Sequence, residues 1–160
     1  MMFSTKAEYG LRVMVELARR AGSSADGSGS VVPLAEIAEH DELPLAYLEH
    51  LVARLRKARL IDSRRGSRGG YMLARPAGEI TAAEIVEALE GSIAPIDCIS
   101  LSPDGTLVCS RESGSAGGGR AGSESFACPT KLLWMKVRFA IVGALEDTTL
   151  ADLVPSPVTA

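Results

Sequence analysis

The stretch LPLAYLEHLVARLRKARLIDSRRGSRGGYML, residues 43–73, decides the fold. After Pro44, apolar side chains fall at Leu45, Leu48, Leu51, Val52, Leu55 and Ala58. This spacing of three and four predicts a helix with one buried stripe and a polar, basic outer face. Leu60 and Ile61 then enter a short strand, Arg64 to Gly70 form a turn, and Tyr71-Met72-Leu73 return as a second strand. Glycines 66, 69 and 70 permit the tight turning that such a tip needs.

Charge singles out the same region. Between Arg54 and Arg75 there are eight Lys or Arg against one acid, Asp62, in a chain with 17 Lys plus Arg and 20 Asp plus Glu. A solvated face usually mixes both signs, whereas this one excludes acids. A basic helix followed by a basic hairpin tip suits a duplex groove, where phosphates supply affinity and side chains on a helix reach base edges. The expected partner is therefore double-stranded DNA.

Outward from this stretch the chain reads as helices. Ser4 to Arg20 is amphipathic, and Thr5-Lys6-Ala7-Glu8 has capping-box form, which gives Glu8 a structural role. Residues 22–30 (GSSADGSGS) are too polar to fold and read as a connection. Pro33 to Glu39 forms a short helix before Pro44, so the order is helix-turn-helix and wing. Ile80 to Glu90 is a further helix with Thr81 as N-cap and Glu84 three residues on. From Ser92 to Ala127 the periodicity is lost and a long irregular loop is expected, with a Gly/Ser tract at residues 113–125. Cys128-Pro129 then opens a long helix to about Glu146, whose apolar surface exceeds what one small domain covers and points to a homodimer.

The expected class is mainly α with a small β-hairpin. Residues 1–78 form a winged helix-turn-helix domain, and residues 79–160 carry a cysteine-bearing loop and a dimerisation helix. An apolar content of 46% supports a packed core. No apolar run reaches membrane-span length and no signal peptide is visible, so a cytoplasmic location without membrane association is expected. No Ser/His/Asp set, carboxylate pair or phosphate loop is visible, so an enzyme is not expected. Cys98, Cys109 and Cys128 are odd in number and stand outside the basic region, which argues against a disulfide framework. They read either as metal ligands, as a thiol switch or as small buried hydrophobes. Zinc is disfavoured by the lack of a Cys-x-x-Cys clip.

With these residues in hand, the chain resembles the bacterial winged-helix regulators that include IscR, NsrR and CymR. The resemblance rests on Ser4-Thr5-Lys6-Ala7-Glu8-Tyr9, on Pro44-Leu45-Ala46-Tyr47-Leu48-Glu49 with Leu55-Arg56-Lys57, on Arg65-Gly66 with Gly69-Gly70-Tyr71, and on Thr149-Leu150-Ala151-Asp152-Leu153. It implies a dimeric repressor of a palindromic operator. Ala46, Tyr47 and Glu49 fall at base-reading positions, Arg65 at a minor-groove position, and Arg68 at a phosphate contact. Glu49 suits a cytosine amine, since a carboxylate beside phosphates is otherwise costly.

The resemblance also implies an iron-sulfur cluster, of 2Fe-2S or 4Fe-4S type, held by Cys98, Cys109 and Cys128. It would report redox state, nitric oxide or iron-sulfur status. The cysteine spacing is wider than the family's compact pattern, and the Gly/Ser tract reads as a looped-out insertion. Lys131 stands where IscR-like members have a histidine ligand. NsrR-like members draw an acidic ligand from the first helix of the other subunit, and Glu8 matches that position, so it is both a capping residue and a candidate fourth ligand. The alternative is a cluster-free regulator controlled by cysteine oxidation or by a protein partner.

Overall fold

The computed structural model describes residues 3–22, 30–66, 69–96, 98–102, 106–110 and 128–154. The elements in chain order are α1 (Thr5–Gly22), α2 (Leu34–His40), α3 (Leu45–Lys57), β1 (Ile61–Arg64), β2 (Gly70–Leu73), α4 (Ala82–Glu90), β3 (Ile99–Leu101), β4 (Leu107–Cys109), α5 (Lys131–Glu146) and α6 (Leu150–Leu153). They fall into two compact units, one of residues 3–91 with the chain from Ala144, the other of Ser92–Gly143.

In the first unit, α2 and α3 are each closed by the same device. Beyond His40 the Leu43 N–H donates to Ala38 O at 2.9 Å and the Glu42 N–H to Glu39 O at 3.4 Å. Beyond Lys57, Leu60 N–H donates to Leu55 O and Arg59 N–H to Arg56 O, both at 3.0 Å. These are Schellman closures, which need a left-handed residue after the C-cap. Glu42 (φ 53°) and Arg59 (φ 59°) supply it, neither of them glycine. Leu43 and Leu60 are buried beyond each turn. Of the predicted α3 stripe, Leu48, Leu51, Val52 and Leu55 are buried. Leu45 and Ala58, at the helix ends, are exposed.

The wing pairs Ile61 with Leu73 and Arg64 with Gly70 in an antiparallel hairpin. Val32 adds a third, one-residue strand, exchanging two 2.8 Å backbone hydrogen bonds with Tyr71. That approach requires Gly70, because a Cβ there would lie 2.3 Å from the Val32 carbonyl oxygen. The core beneath joins Met14 and Leu17 of α1, Ile37 of α2, Leu48 and Leu55 of α3, Ile85 and Leu89 of α4 and Leu150 of α6. Gly10 lets α1 approach Leu89 closely, since a Cβ would sit 2.0 Å from its Cδ1.

The α4 capping box of Thr81 and Glu84 forms as expected. The one expected at Thr5 and Glu8 is replaced. Ser4 precedes the helix, and its N–H and hydroxyl both donate to Glu90 at the end of α4. Glu8 instead accepts from Arg12 Nε at 2.8 Å, one turn along α1. A long-range carboxylate has taken the place of the local one. The C-terminal segment returns through Ala82 N–H to Thr148 O and Leu150 N–H to Ile80 O, at 2.8 and 2.7 Å.

The second unit departs from the irregular loop expected. Ile99 pairs with Cys109 and Leu101 with Leu107, forming a hairpin within it. α5 begins at Lys131 rather than at Cys128, whose carbonyl accepts the Lys131 N–H at 3.1 Å. The Gly/Ser tract at 113–125 lies outside the described residues.

Candidate nucleic-acid interface and thiol cluster

The exposed side of α3 carries Ala46, Glu49, His50, Ala53 and Lys57. Ala46, His50, Ala53 and Lys57 recur at helical spacing along one stripe, opposite the buried leucines. Tyr47 is half-buried, its ring edge-on to Tyr9 of α1 with centroids 5.8 Å apart. Packing thus fixes the Tyr47 ring beside the exposed stripe rather than leaving it free to move. Arg65 is exposed where β1 turns, followed by Gly66 at φ 121°. Arg68 lies outside the described residues.

The basic run divides by its bonding. Arg54 donates to Leu89 O at 2.8 Å, tying α3 to α4. Arg75 donates to Glu84 at 2.7 Å and to Glu79 O at 3.2 Å. Arg56 reaches Ser63 Oγ at 3.2 Å, bridging α3 and the wing. Lys57, Arg59, Arg64 and Arg65 are exposed. Charge counting alone had merged structural arginines with those available to a polyanion.

The second unit brings the cysteines near one another. Ser110 N–H donates to Cys98 O at 2.9 Å beside the Ile99–Cys109 pair, so Cys98 and Cys109 stand at the same end of the hairpin. Cys109 is buried, Cys98 and Cys128 are half-buried, and no disulfide joins them. The Thr130 hydroxyl, 3.5 Å from Cys128 Sγ, and then the Thr130 N–H hold the Cys128 thiol below its usual range, against burial that pushes it up. The Cys109 thiol and the Lys131 N–H add to the lowering. Amides at the start of α5 therefore favour thiolate.

Three thiols fit an iron-sulfur group chemically. Their geometry fits in part: the Cys109 thiol contributes to lowering that of Cys128, yet among the described residues no three His, Cys, Asp or Glu side chains already converge as a metal site. Glu8, in the first unit, is exposed and lies beside an open groove of about 400 Å³ with Leu11, Val15 and Leu153 in its walls.

Two groups escaped the sequence reading. Glu16 is buried on α1 and accepts from Arg20 Nε at 2.6 Å and Arg19 Nη2 at 2.9 Å, while Arg20 also reaches Glu36 of α2 at 2.6 Å. An acid inside an apolar stripe, with arginines three and four residues on, was the signal. Arg138 is the buried residue of α5, and its Nε donates to Ile93 O at 3.0 Å.

A winged helix-turn-helix with a separate cysteine unit matches known proteins closely. Residues 3–156 match the Rrf2 family, described as iron-dependent transcriptional regulators. The chain belongs to that family. It is similar to the regulator CymR of Bacillus subtilis, 33% identical over 153 residues, 96% of this chain and 89% of CymR. The solved CymR structure, titled the global cysteine regulator of B. subtilis, superposes with a TM-score of 0.69 over 96% of this chain and 95% of that one. IscR of Cronobacter sakazakii is 33% identical over 96% of this chain and 80% of its own length. An oxidised form of Staphylococcus aureus CymR is 34% identical, with a TM-score of 0.67 over 99% of this chain and all, 100%, of that one. This Rrf2 member is thus a DNA-binding transcriptional regulator, and no helix among its described residues is long and apolar enough to cross a membrane.

Proposed function

We propose that this regulator is a homodimeric repressor that binds a palindromic operator and is switched by an iron-sulfur cluster held by Cys98, Cys109 and Cys128. The observation carrying this reading is the thiol arrangement: hairpin β3–β4 sets Cys98 and Cys109 at one end, and the Cys109 thiol is among the groups that hold the Cys128 thiol below its usual range. When bound, the group supplies a redox- and ligand-sensitive centre. The chain's part is to provide thiolates, with Glu8 as the proposed oxygen ligand from the first helix of the other subunit. An oxygen ligand leaves one iron easier to displace, as a sensor requires. On the DNA side, Ala46 and Glu49 with the packed Tyr47 are assigned to base edges, Arg65 to the minor groove, and Arg68 to phosphate.

The alternative is a cluster-free regulator governed by thiol oxidation or by a protein partner. The influence of the Cys109 thiol on that of Cys128 favours the oxidation branch, because two neighbouring free thiols can be joined by an oxidant without a metal. Anaerobic purification, a visible absorption spectrum, and iron and acid-labile sulfide analysis distinguish the two. Sulfide with iron and a charge-transfer band supports the cluster. A colourless, iron-free protein whose operator affinity follows thiol oxidation supports the alternative.

A further inference from the structure

One arginine of the basic run joins α3 to the wing. Arg56 stands three positions beyond Ala53, as Glu49 stands three beyond Ala46, so both lie along one flank of the exposed stripe of α3. That flank faces the wing, because Arg56 Nη1 donates to Ser63 Oγ at 3.2 Å. On β1, Ser63 follows the buried Ile61 by two residues and so points to the same side of the strand, toward α3. Both partners are exposed. The serine hydroxyl is neutral, so the bond fixes the direction of the guanidinium without cancelling its charge, whereas Arg75 is held by the Glu84 carboxylate at 2.7 Å. A guanidinium has further N–H donors, in a planar fork that matches phosphate oxygens.

The duplex supplies what such a fork would hold. A helix in the major groove and a wing in the neighbouring minor groove straddle one sugar-phosphate strand, the one that divides those grooves. That strand must pass between α3 and β1, where Arg56 and Ser63 meet. From this juxtaposition we infer that Arg56 grips a phosphate of the dividing strand and that Ser63 is its positioning residue, acting on DNA through the guanidinium it orients. A phosphate held at the junction sets the register of α3 and the wing on the duplex together, without itself reading sequence. The inference rests on the placement of the wing proposed above, and the test separates the two.

The test uses the full-length chain and an operator that the wild type selects from a random-sequence duplex library. Methylphosphonate linkages, which lack the phosphate charge, are placed one at a time along that operator. Affinities are then measured for the wild type, Arg56→Ala, Ser63→Ala, Ser63→Thr and the double variant Arg56→Ala/Ser63→Ala. One phosphate in each half-site, on the dividing strand, should weaken wild-type binding on the order of tenfold when neutralised and leave Arg56→Ala unaffected. Ser63→Ala should bind about threefold more weakly and lose part of the salt slope, although it removes no charge. Ser63→Thr keeps the hydroxyl and should bind as the wild type does. In the Arg56→Ala background, Ser63→Ala should cost nothing more. If no phosphate distinguishes the wild type from Arg56→Ala, the inference is overturned. Additive losses in the double variant overturn it too, since that is the behaviour of two independent contacts. Arg65→Ala reports on the wing by itself. Wild-type affinity there, with the Arg56 phosphate found, removes the wing from the minor groove and leaves the phosphate assignment standing. A loss there without that phosphate keeps the wing and sinks the inference.

Discussion

At the scale of single residues, Glu42 in the turn between α2 and α3, and Arg59 just beyond α3, show local strain kept where each helix of the helix-turn-helix closes. Each holds a left-handed backbone that glycine adopts freely and that costs an L-residue about 1–2 kcal/mol. Both side chains are exposed, so truncation removes no core packing. Glu42→Gly and Arg59→Gly should therefore each raise stability by about 0.5–1 kcal/mol after glycine's extra unfolded-state entropy is deducted. Urea unfolding checks this, and a loss of stability at either site would show that the side chain has a stabilising partner. Gly70 is the opposite case. Its neighbour is the Val32 backbone, which cannot rotate aside, so Gly70→Ala should cost about 1–3 kcal/mol and separate Val32 from the wing.

At the scale of elements, arginines of similar sequence context have different jobs. Arg65→Ala should weaken operator binding and flatten its salt dependence, as expected when a cation seated in the minor groove, where the negative potential is strong, is removed. Arg54→Ala should chiefly lower stability, because its guanidinium joins α3 to Leu89 O. Gel-shift titrations over a salt series separate the two, and an unchanged slope for Arg65→Ala would remove the wing from the interface. The Glu16 pair is the matching test for α1 and α2. Burial pushes Glu16 up, but hydrogen bonds from Arg20 and Arg19 outweigh it, and the net shift is downward. Its contribution is thus present above the ordinary glutamate value, about 4.3, and lost as pH falls through the lower folded value. Glu16→Gln should cost about 1–3 kcal/mol at neutral pH, discounted for the half-exposed arginines, and flatten the acid limb of the stability profile. Elements with local rules were legible in the sequence: the leucine stripe of α3, the Thr81 capping box and the glycine turn of the wing all follow from spacing. Hairpin β3–β4 was not, because strands of three residues each carry too little alternation to register. The Ser4–Glu90 cap was hidden for another reason. It joins residues 86 apart, a distance no local pattern encodes. For the site, the three cysteines were visible as residue types, whereas their approach depends on that unseen hairpin.

At the scale of the whole molecule, α5 leaves apolar surface uncovered within a single chain. Leu132, Leu133 and Phe139 are 64%, 56% and 58% exposed. Leu132 and Phe139 lie on one stripe seven residues apart, with Leu133 and Ala140 beside them. A run of exposed leucine and phenylalanine on one helix is an association surface rather than a solvated one. In the homodimer proposed above, a second copy presenting the same stripe would complete it, since a two-fold axis turns one apolar helix into a self-complementary pair. The consequence for DNA follows from linkage. In the proposed dimer, two heads joined through α5 would bind two half-sites with an effective concentration that separate heads lack, so affinity for a palindrome should fall by on the order of 10²-fold when the joint is broken. Phe139→Asp is the sharpest probe, because it puts a charge in the centre of the stripe. The core from Val13 to Leu150 contains no α5 residue, so the head should stay folded. The expected result is a monomer by sedimentation velocity, with helical circular dichroism retained, half-site binding near the wild-type value, and palindrome binding reduced to that level. A Phe139→Asp protein that sediments as a dimer would move the interface off this stripe, and the palindrome prediction with it.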